Sequence, residues 1–323
     1  MKKRSRKKHS KLLLPLIVFF LGSAGLLALC LLLIVRDTPT NPAIPSELES
    51  ALDTLEKKNE IITPPIQQFK APVQITREDS LNPQIIQTYK EKDINGILKK
   101  HVEAMGGWAN WQKVESIRTS GTIERGDQTF PVVIIKKRPH CIRATITVPV
   151  PGKENESIKL IRAHSDGQAW SATRLAGDLK MRKEALPLEA AKELFTDSGV
   201  LPPLIKFWQE GATVELVGLD SIAGEPHYKM RIASTQLTSD LIFYLSCVSH
   251  LVTQYESVQQ NEIISRTILK NYRNQQGVLI PTLNITQADQ TGQTIMTTPS
   301  IKIGVGIYEE YFSADPPLKT ANL

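Results

Sequence analysis

Four side chains of metal-ligand type stand in two short stretches, His140-Cys141 within RPHCIR and Cys247-x-x-His250 within SCVSHL. Together they would supply a two-cysteine, two-histidine zinc set. Both stretches read as β-strands, however, and residues three apart on a strand point to opposite faces, so the spacing argues against convergence on one ion. In an oxidising compartment Cys141 and Cys247 could pair instead. His101, His164 and His227 fall on separate predicted elements. No Ser/His/Asp order, HExxH helix or phosphate-cradling loop occurs. The residues able to do covalent or metal chemistry do not assemble, so the expectation is a binding protein with no catalytic residue, no metal and no cofactor.

The elements that would build a binding surface are better marked. Ile142, Ala144 and Ile146 alternate with Arg143, Thr145 and Thr147. Tyr228, Met230 and Ile232 share one face of HYKMRI, and Phe243 lies in DLIFYLS. These and the other β-branched stretches predict about ten or eleven strands, divided by turn pairs such as Arg125-Gly126-Asp127, Ser165-Asp166-Gly167 and Gln276-Gly277. Before them, DINGILKKHVEAM places Ile94, Ile97, Leu98, Val102 and Met105 on one helical face. Gly106-Gly107 then stops the helix, and Trp108 and Trp111 read as a plug where helix meets sheet. Two helical stretches, LPLEAAKELF and GVLPPLIKFWQEG, interrupt the strands and carry Phe195, Leu204 and Trp208. An antiparallel sheet of this length tends to curl and hide its edges, with helices capping one opening.

The two ends of the chain differ from this body. Residues 1–11 form a basic head, and residues 12–35 carry no charge. As a helix the latter would span about 36 Å, enough to cross a hydrocarbon core. The run is too long for a cleaved signal peptide, and Leu29 stands where a lipoprotein signal would place a small residue before Cys30. An uncleaved signal-anchor helix is expected, with the N-terminus cytoplasmic and the body beyond the cytoplasmic membrane. Residues 36–92 read as a Pro-rich linker with one short helix, and residues 93–323 as the folded body. Eight of the 39 basic residues lie in positions 1–36, leaving 31 against 33 acids in the rest. A near-neutral body has no footprint for a phosphate backbone, which argues against a nucleic-acid partner.

The stretch ILKKHVEAMGGWANWQKVESIRTSGTI resembles the opening of the LolA-like proteins, the outer-membrane lipoprotein-sorting superfamily (LolA/LolB/RseB-type fold). Pro139 and Arg143 in KKRPHCIR, Asp166, Gly167 and Trp170 in HSDGQAW, and Gly277 and Pro281 in GVLIP agree with it in order over about residues 93–315. Where many relatives carry an acidic residue after the strand LIFYLS, this chain has Ser246. The resemblance implies a mainly β (α+β) fold: an incomplete antiparallel barrel with an N-terminal helix and a helical lid over an apolar cavity. It also implies a periplasmic body that holds acyl lipid or lipoprotein, or alternatively a sensor that grips a membrane-protein partner. On that basis Ile142, Ala144, Ile146, Tyr228, Met230, Ile232 and Phe243 are expected to line the cavity, Phe195, Leu204 and Trp208 to belong to the lid, and Arg143 to stand at the rim. Each CH₂ removed from water contributes about 0.8 kcal/mol, so a sixteen-carbon chain offers on the order of 12 kcal/mol before entropy costs.

Overall fold

A computed structural model describes residues 93–150, 153–175, 181–288 and 291–314. The expected basic head, anchor helix and linker lie outside the described residues. Among the described residues no helix is long and apolar enough to cross a membrane.

Helix α1 (Ile94–Ala104) starts where Asp93 accepts the Asn95 N–H at 3.1 Å, an N-cap, and buries Ile97, Leu98 and Val102. A single helical turn, α2 (Trp108–Trp111), follows the glycine pair. The strands are β1 (Ser116–Arg125), β2 (Gln128–Lys137), β3 (Cys141–Val150), β4 (Lys153–Ser165), β5 (Gln168–Leu175) and the two-residue β6 (Glu184–Ala185). Helices α3 (Leu188–Thr196) and α4 (Pro203–Gln209) come next. The chain then makes β7 (Thr213–Ile222), β8 (Glu225–Ala233), β9 (Asp240–Ser246), β10 (Val252–Gln259), β11 (Glu262–Gln275), β12 (Val278–Ala288) and β13 (Gly292–Ile303).

All thirteen strands form one sheet in the order β6-β5-β4-β3-β2-β1-β13-β12-β11-β10-β9-β8-β7. Each half is a meander, and the antiparallel β1–β13 pair joins the two halves. The sheet is open, with β6 and β7 as its edges. The count corrects the ten or eleven strands expected from sequence. The hairpin at Asp166-Gly167 leads into the full strand β5, and β6 is too short to carry a periodic signal. In the other direction, QTIMTT and SIKI are one strand running through Pro299. Proline is tolerated there because the β1–β13 register shifts between Ser120 and Thr122, so the ladder needs no donor at that point. Gly121 sits in the shift, where a Cβ would lie 1.8 Å from the Thr297 carbonyl oxygen.

Helices α3 and α4 force the sheet to curl. The inner face of β4 and β5 carries α3, while α4 packs with β8 and β9. Laid flat, β4 and β9 would stand about 38 Å apart at about 4.8 Å per strand. The link from Thr196 to Pro203 reaches at most about 25 Å. The inner faces therefore bend towards each other around the helices. The body divides into a first inner core on β1–β4 with α3, a second on β8–β10 with α1 and α4, and a third around the α1–α2 corner.

Strands β2, β4 and β5 carry buried apolar residues on the outer face as well, where the chain after β13 lies across them. Phe312, fully buried, packs on Ile135 and Cys141, and Ala314 packs on Ile161, Ala163 and Trp170. Trp170 Nε1–H donates to the Phe312 carbonyl at 2.7 Å.

Candidate functional site

Register across the first half of the sheet decides what faces the lid. Residues paired directly across antiparallel strands share a face. One inner row is Lys136–Ile142–His164, the next Ile134–Ala144–Arg162, then Val132–Ile146–Leu160. Ile142, Ala144 and Ile146 are thus brought together as expected from their alternation, and all three are buried. Beside them, at one end of an otherwise apolar face, Lys136, Arg162 and the imidazole of His164 point inward, burial holding His164 below its ordinary pKa.

The lid supplies the complement. Glu193 and Asp197, four residues apart at the end of α3, are buried and share one side of the helix. Lys206 of α4 is buried as well, donates to the Phe195 carbonyl, and lies 3.2 Å from Ser198 Oγ. Its ammonium stands 3.8 Å over the Phe195 ring, and the rings of His140 and His164 flank Phe195 at 5.2 and 5.5 Å. Between sheet and lid there is therefore a polar layer of Lys136, Arg162 and His164 against Glu193, Asp197 and Lys206.

Burial governs the electrostatics of this layer. It holds the Glu193 carboxyl well above the ordinary carboxylate range, with Arg162 pulling the other way. It also raises Asp197, opposed by Lys136 and Lys206, and pushes Lys206 down to about 8. Neither Glu193 oxygen has a hydrogen-bond partner among the described residues, nor does Asp197 Oδ2. An unsatisfied buried polar group costs about 1–3 kcal/mol, so this seam holds the lid less firmly than the apolar contacts alone would. A cavity of about 20 Å³, room for about one water, lies there between Glu193, Asp197, Leu237, Leu241, Tyr255 and Ser257.

The lid corner docks on the β2–β3 turn. Gly199 adopts φ +75° and donates its N–H to the Cys141 carbonyl at 3.3 Å. A Cβ at Gly199 would stand 2.6 Å from the Pro139 carbonyl oxygen, so glycine is required by both conformation and approach.

The remaining expected lining residues fall in the second core. Tyr228, Met230, Ile232 and Phe243 are buried there with Leu204, while Phe195 and Trp208 are half-buried at its edge. The expected residues therefore form two groups, one on each flank of the curled sheet, bridged by the lid. Their side chains fill the interior, and they line neither the small cavity nor the larger cleft on the outer face. That cleft, of about 650 Å³, opens between Arg118, Ile135 and the segment Val305–Tyr308. Arg143 lies on the outer face, where Nη1–H donates to the Tyr311 carbonyl at 2.8 Å and the guanidinium stacks 4.0 Å over the Tyr311 ring.

The histidines are anchored to the backbone and the cysteines are packed in the cores. His101, His164 and His227 each donate Nδ1–H to a backbone carbonyl, of His250, His140 and Glu225, at 2.7–2.8 Å. Cys141 and Cys247 are buried free thiols in separate cores. Among the described residues no three His, Cys, Asp or Glu stand close enough to hold a metal ion. Ser246 Oγ, at the end of β9, accepts the N–H groups of Val248 and Ser249 at 3.2 and 3.1 Å. Sequence reading missed the polar layer. The only signal for it was that Lys136, Arg162 and His164 share strand parity with Ile134, Ile142 and Leu160 once register is known.

No protein-family model matches the chain, and no curated protein matches it. Among solved structures it is similar to a DUF1329 family protein from Desulfovibrio piger, with 10% identity over 70% of this chain and 99% of that one (TM-score 0.47). It is also similar to the MucA/MucB complex of Pseudomonas aeruginosa, with 16% identity over 68% and 60% of the chains (TM-score 0.21). It is similar, too, to a LolA superfamily protein from Nitrosomonas europaea, with 13% identity over 69% of this chain and 98% of that one (TM-score 0.48).

Proposed function

We propose that this protein is a membrane-tethered, non-catalytic carrier or holder of acyl chains, acting in envelope lipid or lipoprotein handling. The observation that carries the reading is the lid. Two short helices cover an apolar inner face through a buried polar layer in which both Glu193 oxygens and Asp197 Oδ2 lack hydrogen-bond partners among the described residues. Lifting α3 and α4 would expose Ile142, Ala144 and Ile146 on one flank and Met230, Ile232 and Phe243 on the other. An acyl chain placed between the flanks would restore the burial lost by the lid at about 0.8 kcal/mol per CH₂. The tether is the uncharged run 12–35 behind its basic head, which would hold the body on the periplasmic side of the cytoplasmic membrane.

The full-length protein, purified and extracted with organic solvent, is expected to release long-chain acyl lipid detectable by mass spectrometry. It should also take up a fluorescent fatty acid. Consistent absence of both would overturn the reading. Protease accessibility in intact and permeabilised cells tests the orientation: the body must be protected until the outer barrier is opened.

A second reading, a sensor that grips a membrane-protein partner, is favoured by the open outer cleft and by Tyr308, which is 83% exposed beside it. Crosslinking in cells separates the two, since a stable protein partner without bound lipid supports the sensor.

A further inference from the structure

We infer that Lys136 and Arg162, with the imidazole of His164 beside them, form a head-group site for an anionic amphiphile, and that in the closed molecule the lid's own Glu193 and Asp197 stand in for the ligand's anionic group. This rests on the acyl-binding reading and names its substrate class: a long acyl chain ending in a phosphate or carboxylate.

Three observations carry it. First, the basic groups are inward by register and not by chance of exposure. Lys136 and His164 flank Ile142 on neighbouring strands, and Arg162 flanks Ala144 one row on. The patch is about 10 Å across the strands and about 7 Å along them, the scale of one small anionic group. Second, the patch ends an apolar track. From Ile142 through Ala144 and Ile146 to Val148 the inner face of β3 runs for about 20 Å, backed by Leu160 and Ile158 of β4. Head-group and tail sites are thus laid end to end on one surface, which suits an amphiphile and not a free ion.

Third, the lid acids are in a place that stability alone does not favour. They sit at the C-terminal end of α3, where the helix dipole repels negative charge, and both are buried. Well-packed apolar residues at such positions are often neutral or stabilising relative to buried ion pairs. What the acids do is face the positive charge of Arg162, Lys136 and Lys206. A ligand anion arriving at the same bases displaces them, and the carboxylates leave with the lid into water, where they are well solvated. Closed and loaded states then exchange a lid carboxyl group, kept protonated at Glu193 by burial, for the ligand's anionic group.

The test uses the full-length protein in phosphatidylcholine nanodiscs with three photoreactive probes: hexadecyl phosphate, palmitate and hexadecanol, each carrying a diazirine in the chain. Labelled peptides from residues 141–165 are quantified by mass spectrometry. Both anions are expected to label this region at least ~10-fold more than the alcohol. Arg162→Gln should bring that ratio close to one. Because Arg162→Gln can unfold the protein by stranding Glu193, the double variant Glu193→Gln/Asp197→Asn is measured alongside. It removes the internal competitor and should raise anion labelling at least ~3-fold; unchanged or reduced labelling overturns the stand-in role. Equal labelling by all three probes overturns the head-group site and leaves acyl binding in place. Labelling by none overturns acyl binding itself. Competition by millimolar inorganic phosphate as effective as competition by unlabelled hexadecyl phosphate shows a free-anion site and overturns the amphiphile.

Discussion

Gly106, at the end of α1, lies directly against Gly277 in the β11–β12 turn: a Cβ on Gly106 would stand 1.9 Å from the Gly277 carbonyl oxygen. Asn110 clasps the same point, with Nδ2–H donating to the Gly106 carbonyl at 2.8 Å, and Leu279 N–H donates to the Met105 carbonyl at 2.9 Å. Trp111, 1% exposed, seals the corner and donates Nε1–H to Met105 at 3.1 Å. The glycine pair thus seats the helix on a turn more than 170 residues away.

Gly106→Ala must strain a φ of +109° and displace backbone, so a loss of about 3 kcal/mol is expected. Gly107→Ala, with φ +80° and only the Glu103 carboxylate 3.3 Å away, should cost about 1–2 kcal/mol. Urea unfolding of the two variants checks this, and equal losses would refute the contact.

Gly199→Ala acts on the lid corner instead. The Pro139 carbonyl 2.6 Å away has to move, which loosens α3 and α4 more than the sheet. Amide exchange across residues 188–209 is expected to speed up by about 10-fold or more, corresponding to about 1.4 kcal/mol of local stability. Exchange in β11 and β12 should stay as in the parent protein. Uniform acceleration over the whole sheet would contradict a local lid.

His101 gives a pH signature. Burial lowers its folded pKa from 6.5 to about 4, despite the hydrogen bond from Nδ1 to the His250 carbonyl. The unfolded chain therefore binds a proton that the folded one refuses. The corresponding stability is complete above pH 6.5 and is lost as pH falls towards 4, by about 3 kcal/mol. In His101→Asn, whose amide can still donate to His250, unfolding free energies at pH 7 and pH 4.5 should differ by less than in the parent.

The carboxyl of Glu193 has the opposite sign. Its folded pKa lies above the unfolded value, so its contribution is full below the ordinary carboxylate range and is lost as pH rises through the folded pKa. Glu193→Gln should therefore be the more stable protein at pH 7, with the difference vanishing near pH 4. Denaturant curves at the two values decide it.

Arg143→Ala removes the guanidinium that holds the Tyr311 carbonyl and stacks between Tyr311 and Trp170. A charge-assisted hydrogen bond contributes about 1.5–3 kcal/mol. The segment 304–314 should detach, so brief chymotrypsin treatment ought to cut at Tyr311 and Phe312 in the variant before it cuts the parent protein.

Much of the body was legible in the sequence because it is written in local periodicity. The apolar face of α1, the alternation in β3 and β8, the glycine stop and the two lid helices need only residues within a few positions of one another. β6 and the continuity of β13 through Pro299 were not legible, because two paired residues make no pattern and a proline is read as a break until the bulge opposite it is seen. The polar layer was hidden for a deeper reason. In SIKLIRAHS both alternate sets contain apolar residues, and which set faces inward depends on register with β3 and on what covers the other face.

Sequence alone determined the order of helices and strands, the alternation within each strand and the glycines at which the chain must turn. Only the tertiary structure decided that Arg162 and His164 point in under the lid while Ile161 and Ala163 point out beneath Phe312 and Ala314. The reason is physical: periodicity is a property of one segment, whereas inside and outside are set by partners 30 to 150 residues distant, and only burial against those partners gives a face its sign.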